Sequence, residues 1–227
     1  MAPILEISDL KNLARKRVPK LFFDYADSGS YTESTYRANE SDFSRIKLRQ
    51  RVLVDMSGRT LETTMIGEKV KMPVALSPTG LTGMQHADGE MLAAKAAEEF
   101  GVPFTLSTMS ICSIEDVASV TKRPFWFQLY VMRDRDFVIN LIERARAAGC
   151  SALVLTADLQ LLGQRHKDIR NSLSAPPKLT PKHLYQMAIR PRWCWNMLQT
   201  NRRTFRNIHG HAKNVTDLSS LHAWTAE

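Results

Sequence analysis

The chain has 227 residues, enough for one domain with a substantial core, and its 44% hydrophobic and 24% charged residues are those of a globular protein. It contains no run of about 18 apolar residues, which excludes a spanning helix, and the amphipathic start MAPILEISDLKNLARKR lacks a signal peptide's apolar core. The net charge of +8 is confined to one end: residues 1–163 carry 20 Lys+Arg against 20 Asp+Glu, and residues 164–227 carry 11 against 3. Three cysteines, Cys112, Cys150 and Cys194, are an odd number at spacings that match no zinc or disulfide pattern, so a reducing compartment is expected and no metal site.

In chain order, Leu5, Leu10 and Leu13 share one side of a helix that Pro19 stops, and a polar stretch with a turn at DSGS leads to a second helix through Tyr36 to Phe43. LETTMIGEKVKM alternates as a strand does and breaks at Gly67, which predicts a small hairpin. The apolar run PVALSP follows, then a helix over GEMLAAKAAEEF closed by Gly101, and the second run PFTLST. Ser113 opens the helix SIEDVASV, with Asp116 in the capping-box position. FWFQLYV is a third strand. Phe137, Leu141, Ile142 and Ala145 recur at helical spacing up to Gly149, and ALVLTAD is a fourth strand.

Four buried strands about 25 to 30 residues apart, the first three each followed by a helix, predict an α/β fold, either a (β/α)₈ barrel or a doubly wound sheet. The strands end in polar residues: Ser77 and Thr79, Ser107 and Thr108, Gln128 and Tyr130, Thr156 and Asp158. That end of a parallel sheet is where ligands are handled. The loop PTGLTGMQHADGE lacks the G-x-G-x-x-G spacing, so a dinucleotide fold is not supported. Taken singly, Tyr25 reads as a helix-end tyrosine, Arg165 as a surface arginine and Thr156 as a strand former. Gln128, inside an apolar run, needs buried partners.

PVALSPTGLTGMQHADGEMLAAKAAEEFGVPFTLST, KRPFWFQLYVMRDRD and LVLTADLQLLGQRHKDIRN together resemble the FMN-dependent α-hydroxy-acid dehydrogenases and oxidases, and above all the bacterial membrane-associated L-lactate dehydrogenases. The resemblance implies a (β/α)₈ TIM barrel, FMN as cofactor and oxidation of a 2-hydroxy acid such as L-lactate to pyruvate, with electrons passed to the respiratory chain. It implies that Pro78, Thr79 and Gly80 line the flavin's reactive edge and that Ser107, Gln128 and Thr156 hydrogen-bond its ring. Tyr25 and Arg165 would hold the substrate carboxylate, and Tyr130 would bond the substrate hydroxyl or carboxylate and place the reacting hydrogen. Relatives are often homotetramers. His86 and His166 match no base motif of the family and read as loop histidines.

The 227 residues contain no S-N-H-G-G-R motif, which in the family brings the catalytic histidine and a second arginine, and no D-G-G/S-G-I-R-type phosphate loop. The expectation is therefore a barrel truncated after about four βα units, an N-terminal fragment inactive alone. The alternative is a non-catalytic half barrel that needs a complementary chain or a membrane. The expected division is helices and hairpin over 1–72, the first four strands over 73–165, and a basic insertion over 166–227.

Residues 176–213 mix tryptophans with arginines and contain no acidic residue, a composition suited to an anionic lipid surface. A solvated basic helix pair and a nucleic-acid face are the other readings, and the neutral first 163 residues speak against the last. Peripheral attachment to the cytoplasmic side of the inner membrane is the resulting expectation.

Overall fold

The computed structural model describes residues 3–158, 163–173 and 180–212. Helix α1 (Ile7–Arg17) is stopped by Pro19, which is the N-cap of α2 (Lys20–Ala26). Helix α3 (Ser34–Ser41) runs into a 3₁₀ turn, Asp42–Arg45. The expected hairpin is present as β1 (Thr63–Met65) paired antiparallel with β2 (Glu68–Val70), and Gly67 takes a left-handed φ of 79° in the turn. Next come α4 (Thr82–Gln85), α5 (Gly89–Phe100), β3 (Thr105–Ser107), α6 (Ile114–Ala118), β4 (Trp126–Leu129), α7 (Arg135–Ala147) and β5 (Ala152–Leu155). Helices α8 (His166–Arg170), α9 (Pro181–Ala188) and α10 (Pro191–Gln199) follow.

Strands β3, β4 and β5 form one parallel sheet in sequence order, with Ser107 opposite Gln128 and Gln128 opposite Val154. The run PVALSP joins this sheet through one bridge, Leu76 to Phe104, and not as a full strand. Its prolines explain the difference. Pro73 and Pro78 flank the run and Pro103 lies across from it, so the ladder has lost donors, and only Leu76 N–H to Pro103 O (2.9 Å) and Thr105 N–H to Leu76 O (3.0 Å) remain.

Phe104, Leu106, Phe127 and Leu129 point to the helical side and meet Ala94 and Ala97 of α5, Val117 of α6, and Phe137 and Leu141 of α7. On β5 the outward Leu153 and Leu155 stay exposed, because no helix among the described residues covers that edge. The caps hold as read. Ser113 and Asp116 bond each other's backbone N–H groups, and Gly149, at φ 76°, follows the last turn of α7. The hairpin closes the N-terminal end of the sheet, where Glu68 accepts from Trp126 Nε1 (3.3 Å) and from Ser151 Oγ.

Helices α9 and α10 are docked on the sheet domain. Phe22 of α2 stacks on Trp193 of α10 at 5.7 Å, and the Leu21 N–H donates to Gln186 Oε1 of α9 at 3.2 Å. Asn207, fully buried, accepts from Ile114 N–H (2.9 Å) and donates to Ser110 Oγ (2.9 Å). The basic charge here is partly spent inward. Arg202 and Arg206 each place Nε 3.0 Å from an Asp116 oxygen, and Arg203 donates to the Met197 and Leu198 carbonyls.

Candidate active site at the C-terminal end of the parallel sheet

Gln128 sits near the end of the central strand with 2% of its surface exposed. A buried amide must spend both ends, and this one does. Its Oε1 accepts from Ser107 Oγ (3.1 Å) and the Thr108 N–H (3.2 Å), and its Nε2 donates to Thr156 Oγ1 (2.7 Å). The three residues expected on a flavin ring thus form one hydrogen-bonded row across β3, β4 and the residue following β5. Thr108 was read only as a polar strand end, yet it ties the row to the next residues: its hydroxyl donates to Gln128 O (2.6 Å) and accepts from the Tyr130 N–H (3.3 Å).

A second group assembles beside it. Gly80 follows the exposed Pro78 and Thr79, and a Cβ on it would lie 3.2 Å from the Tyr25 hydroxyl and 3.4 Å from the Met109 carbonyl. The absence of a side chain is what lets this loop approach Tyr25 of α2. The Arg165 guanidinium stacks 4.6 Å from the Tyr25 ring centroid, and its Nη2 donates to the Tyr25 carbonyl and to Ser28 Oγ (2.7 Å). Its Nε lies 2.9 Å from Asp168 Oδ2, an ion pair off the hydrogen-bond angle, and its Nη1 makes no hydrogen bond among the described residues. Ser28 and Asp168 were not anticipated as partners, although Asp168 stands three residues after Arg165, one turn on in α8. His166 is the first residue of that helix, not a loop residue, and its ring is edge-on to Tyr31.

Burial pushes the Tyr25 phenol upward; Arg165 opposes this, and Tyr130 and Asp168 add to it. Burial also raises Tyr130, with Asp158 adding. Both phenols are therefore protonated at neutral pH, and neither hydroxyl is hydrogen-bonded among the described residues. Asp168 is raised by burial, lowered by Arg165 and raised by Asp24. Between the bridge at Leu76 and β3 lies a cavity of about 260 Å³ lined by Ser77, Thr79, Thr105 and Ser107. The arrangement offers a polar strip of hydroxyl, amide and hydroxyl groups beside a loop without a side chain, and an arginine with N–H groups to spare.

A profile of the family described as FMN-dependent dehydrogenase matches residues 14–226. The chain belongs to that family. FMN-dependent dehydrogenases use FMN as their cofactor, and the polar strip fits the edge of a flavin ring, where hydrogen-bond acceptors and donors alternate. Among solved structures, a monotopic membrane protein, (S)-mandelate dehydrogenase, is 30% identical over 97% of this chain and 59% of its own length, with a TM-score of 0.88. A soluble mutant of the membrane-associated (S)-mandelate dehydrogenase from Pseudomonas putida is 34% identical over 82% of this chain and 56% of its own, with a TM-score of 0.73. A mandelate oxidase is 35% identical over 78% and 52%, with a TM-score of 0.70. The chain thus spans between half and three-fifths of the length of these structures. The fold is the (β/α)₈ barrel of these flavoenzymes, present here as an open part of the barrel: three paired strands and the bridge at Leu76.

Proposed function

We propose that this chain contributes the flavin-edge and carboxylate-binding wall of an enzyme that oxidises a 2-hydroxy acid, FMN taking up the electron pair when bound. The carrying observation is the Ser107–Gln128–Thr156 row next to the Arg165–Tyr25 stack. Ser107, Gln128 and Thr156 hold the ring, and Pro78, Thr79 and Gly80 lie along its reactive edge. Arg165, through its Nη1 pair, and Tyr25, through its hydroxyl, bind the substrate carboxylate as a charge-assisted contact. Tyr130, protonated and half-buried, bonds the substrate hydroxyl and fixes which hydrogen faces the ring.

L-lactate is the substrate that the sequence resemblance supports. A second reading, an aryl 2-hydroxy acid, is supported by the match to (S)-mandelate dehydrogenase over 97% of the chain. Electrons pass to a respiratory-chain acceptor at the cytoplasmic side of the inner membrane. The outer side of α9 and α10 supports attachment there, with Leu184, Tyr185, Ile189, Trp195 and Leu198 exposed beside Lys182, Arg190 and Arg192. Of the 176–213 segment assigned to the membrane, residues 176–179 and 213 lie outside the described residues.

The test is to titrate the 227-residue chain with FMN and then with L-lactate or (S)-mandelate, following the flavin's visible absorption. Saturable but weak FMN binding is expected, since the 227 residues hold no phosphate loop, and the preferred acid should shift the flavin bands without bleaching them, a shift that Arg165→Met removes. No FMN binding, or an unaltered response in Arg165→Met, overturns the proposal.

A further inference from the structure

Arg165 can offer Nη1 to a substrate only while neighbouring carboxylates do not claim it. The carboxylates on the elements around it are Asp24 of α2, Asp27 at the C-cap of α2, Glu33 at the N-cap of α3, and Asp168 of α8. Asp24 is engaged by Lys20 and by the Asn171 amide (2.7 Å), and Asp168 faces Arg165 Nε at 2.9 Å. Asp27 Oδ1 lies 2.6 Å from Lys11 Nζ, and Glu33 Oε1 lies 3.0 Å from Lys167 Nζ.

Lys167 stands two residues after Arg165, as Asp27 stands two after Tyr25. The two cations meet the end of α2 as two rungs: Arg165 Nη2 donates to the Tyr25 carbonyl, and Lys167 Nζ donates to the Asp27 carbonyl (2.7 Å). A helix end leaves such carbonyls without intrahelical partners. The ammonium of Lys167 also lies 5.8 Å from the Tyr36 ring centroid, and the Tyr36 hydroxyl donates to Asp27 Oδ1. Glu33 is the acceptor that bears on Arg165. It takes the Gly29 N–H (3.3 Å), while the hydroxyl of the preceding Ser28 takes Arg165 Nη2 (2.7 Å). The carboxylate is thus held one residue along the loop from the guanidinium. Arg37, one turn along α3, makes no ion pair with Glu33 and meets it only through its backbone N–H.

We infer that Lys167 is a positioning residue for the carboxylate site: it holds Glu33 away from Arg165 and pins the start of α8 to the end of α2, so that Nη1 stays free for the substrate. Lys167 touches no reacting atom, and its role rests on the reading of Arg165 given above.

The test is equilibrium titration of the chain, in saturating FMN, with L-lactate or (S)-mandelate, read as the shift of the flavin bands. Lys167→Met should weaken the acid about fivefold, the factor of a partly exposed ion pair, and leave FMN affinity unchanged. Lys167→Arg, which keeps the charge and the donors for both acceptors, should bind the acid like the parent. Adding Glu33→Gln to Lys167→Met should restore most of the affinity, because the amide still accepts from the Gly29 N–H and carries no charge to draw Arg165. A merely structural role predicts no such recovery, since the double variant lacks the same ion pair as the single one. Acid affinity in Lys167→Met equal to the parent's, or a loss that Glu33→Gln does not restore, overturns the inference. A parent without an acid-induced shift, or a shift that survives Arg165→Met, shows instead that the carboxylate reading has failed, and the role of Lys167 falls with it.

Discussion

Replacing Gln128 by leucine tests whether the row across the strand ends is a working unit. The shape is nearly kept, so the cost lies in the hydrogen bonds. Gln128 is 2% exposed, and its loss leaves the Ser107 hydroxyl without its acceptor and the Thr156 hydroxyl without its donor at 2.7 Å. The Thr108 N–H is spared, because it also reaches Gln128 O at 3.1 Å, which the substitution leaves in place. Two stranded hydroxyls, one of them half-buried, cost together about 2–3 kcal/mol. For a chain of this length that lowers Tm by roughly 4–12 °C. Thermal and urea unfolding followed by circular dichroism read this directly. Thr156→Val alone should cost less, and the double variant should show a coupling of about 1 kcal/mol, since the pair is in contact. A Tm within one degree of the parent, or additive single effects, would refute the reasoning. FMN affinity should fall in both single variants.

Asp116 is lowered: burial works against the charge, but the Ser113 N–H bond and then Arg202 and Arg206 outweigh it. Glu115 is brought to about 2, chiefly by Arg144. Both contributions are complete above the ordinary carboxylate range and are lost as pH falls through the lowered values, so urea midpoints should drop below about pH 4 and Asp116→Asn should flatten that drop. Burial pushes Cys150 up to about 12 and Cys112 higher still, so at pH 8 mass spectrometry after maleimide treatment should find both unlabelled until the chain unfolds. Gly83→Ala should destabilise by about 1–3 kcal/mol, because its Cβ would lie 2.6 Å from Ile111 Cβ inside a packed corner. Gly149→Ala, with φ 76° but nothing within 4 Å, should cost about 1 kcal/mol from backbone strain alone. Equal losses for the two alanines would count against both readings.

Much of this was legible because the signals are local. The capping box at Ser113 and Asp116, the left-handed glycines at 67, 101 and 149, and the repeat of apolar runs all lie within a few residues of what they determine. The strip of Ser107, Gln128 and Thr156 was legible for another reason: parallel register brings corresponding strand ends together, so polar ends at regular spacing become neighbours. The first strand was over-read, because its apolar residues were counted and the donors removed by its prolines were not. The partners of Arg202 and Arg206 were not legible. Asp88 and Asp116 are roughly a hundred positions earlier, and no local pattern in a basic stretch says which of its charges faces the protein.

The basic helices also bear on the site itself. Helix α9 carries His183, which is 1% exposed and whose Nε2 lies 2.6 Å from the Asn171 carbonyl. The Asn171 side chain donates to Asp24 Oδ2 at 2.7 Å, and Asp24 directly precedes Tyr25. Gln186 of the same helix accepts from Leu21, at the start of the helix that carries Tyr25. Asn171 in turn closes α8, whose N-cap is Arg165. These groups are buried and bonded, so separating α9 from α2 would strand several of them at about 1–3 kcal/mol each. Helix α9 is therefore part of what fixes Tyr25 and Arg165 relative to each other. A surface that attaches α9 and α10 would hold Tyr25 and Arg165, the two residues proposed to bind the carboxylate, in the same rigid frame.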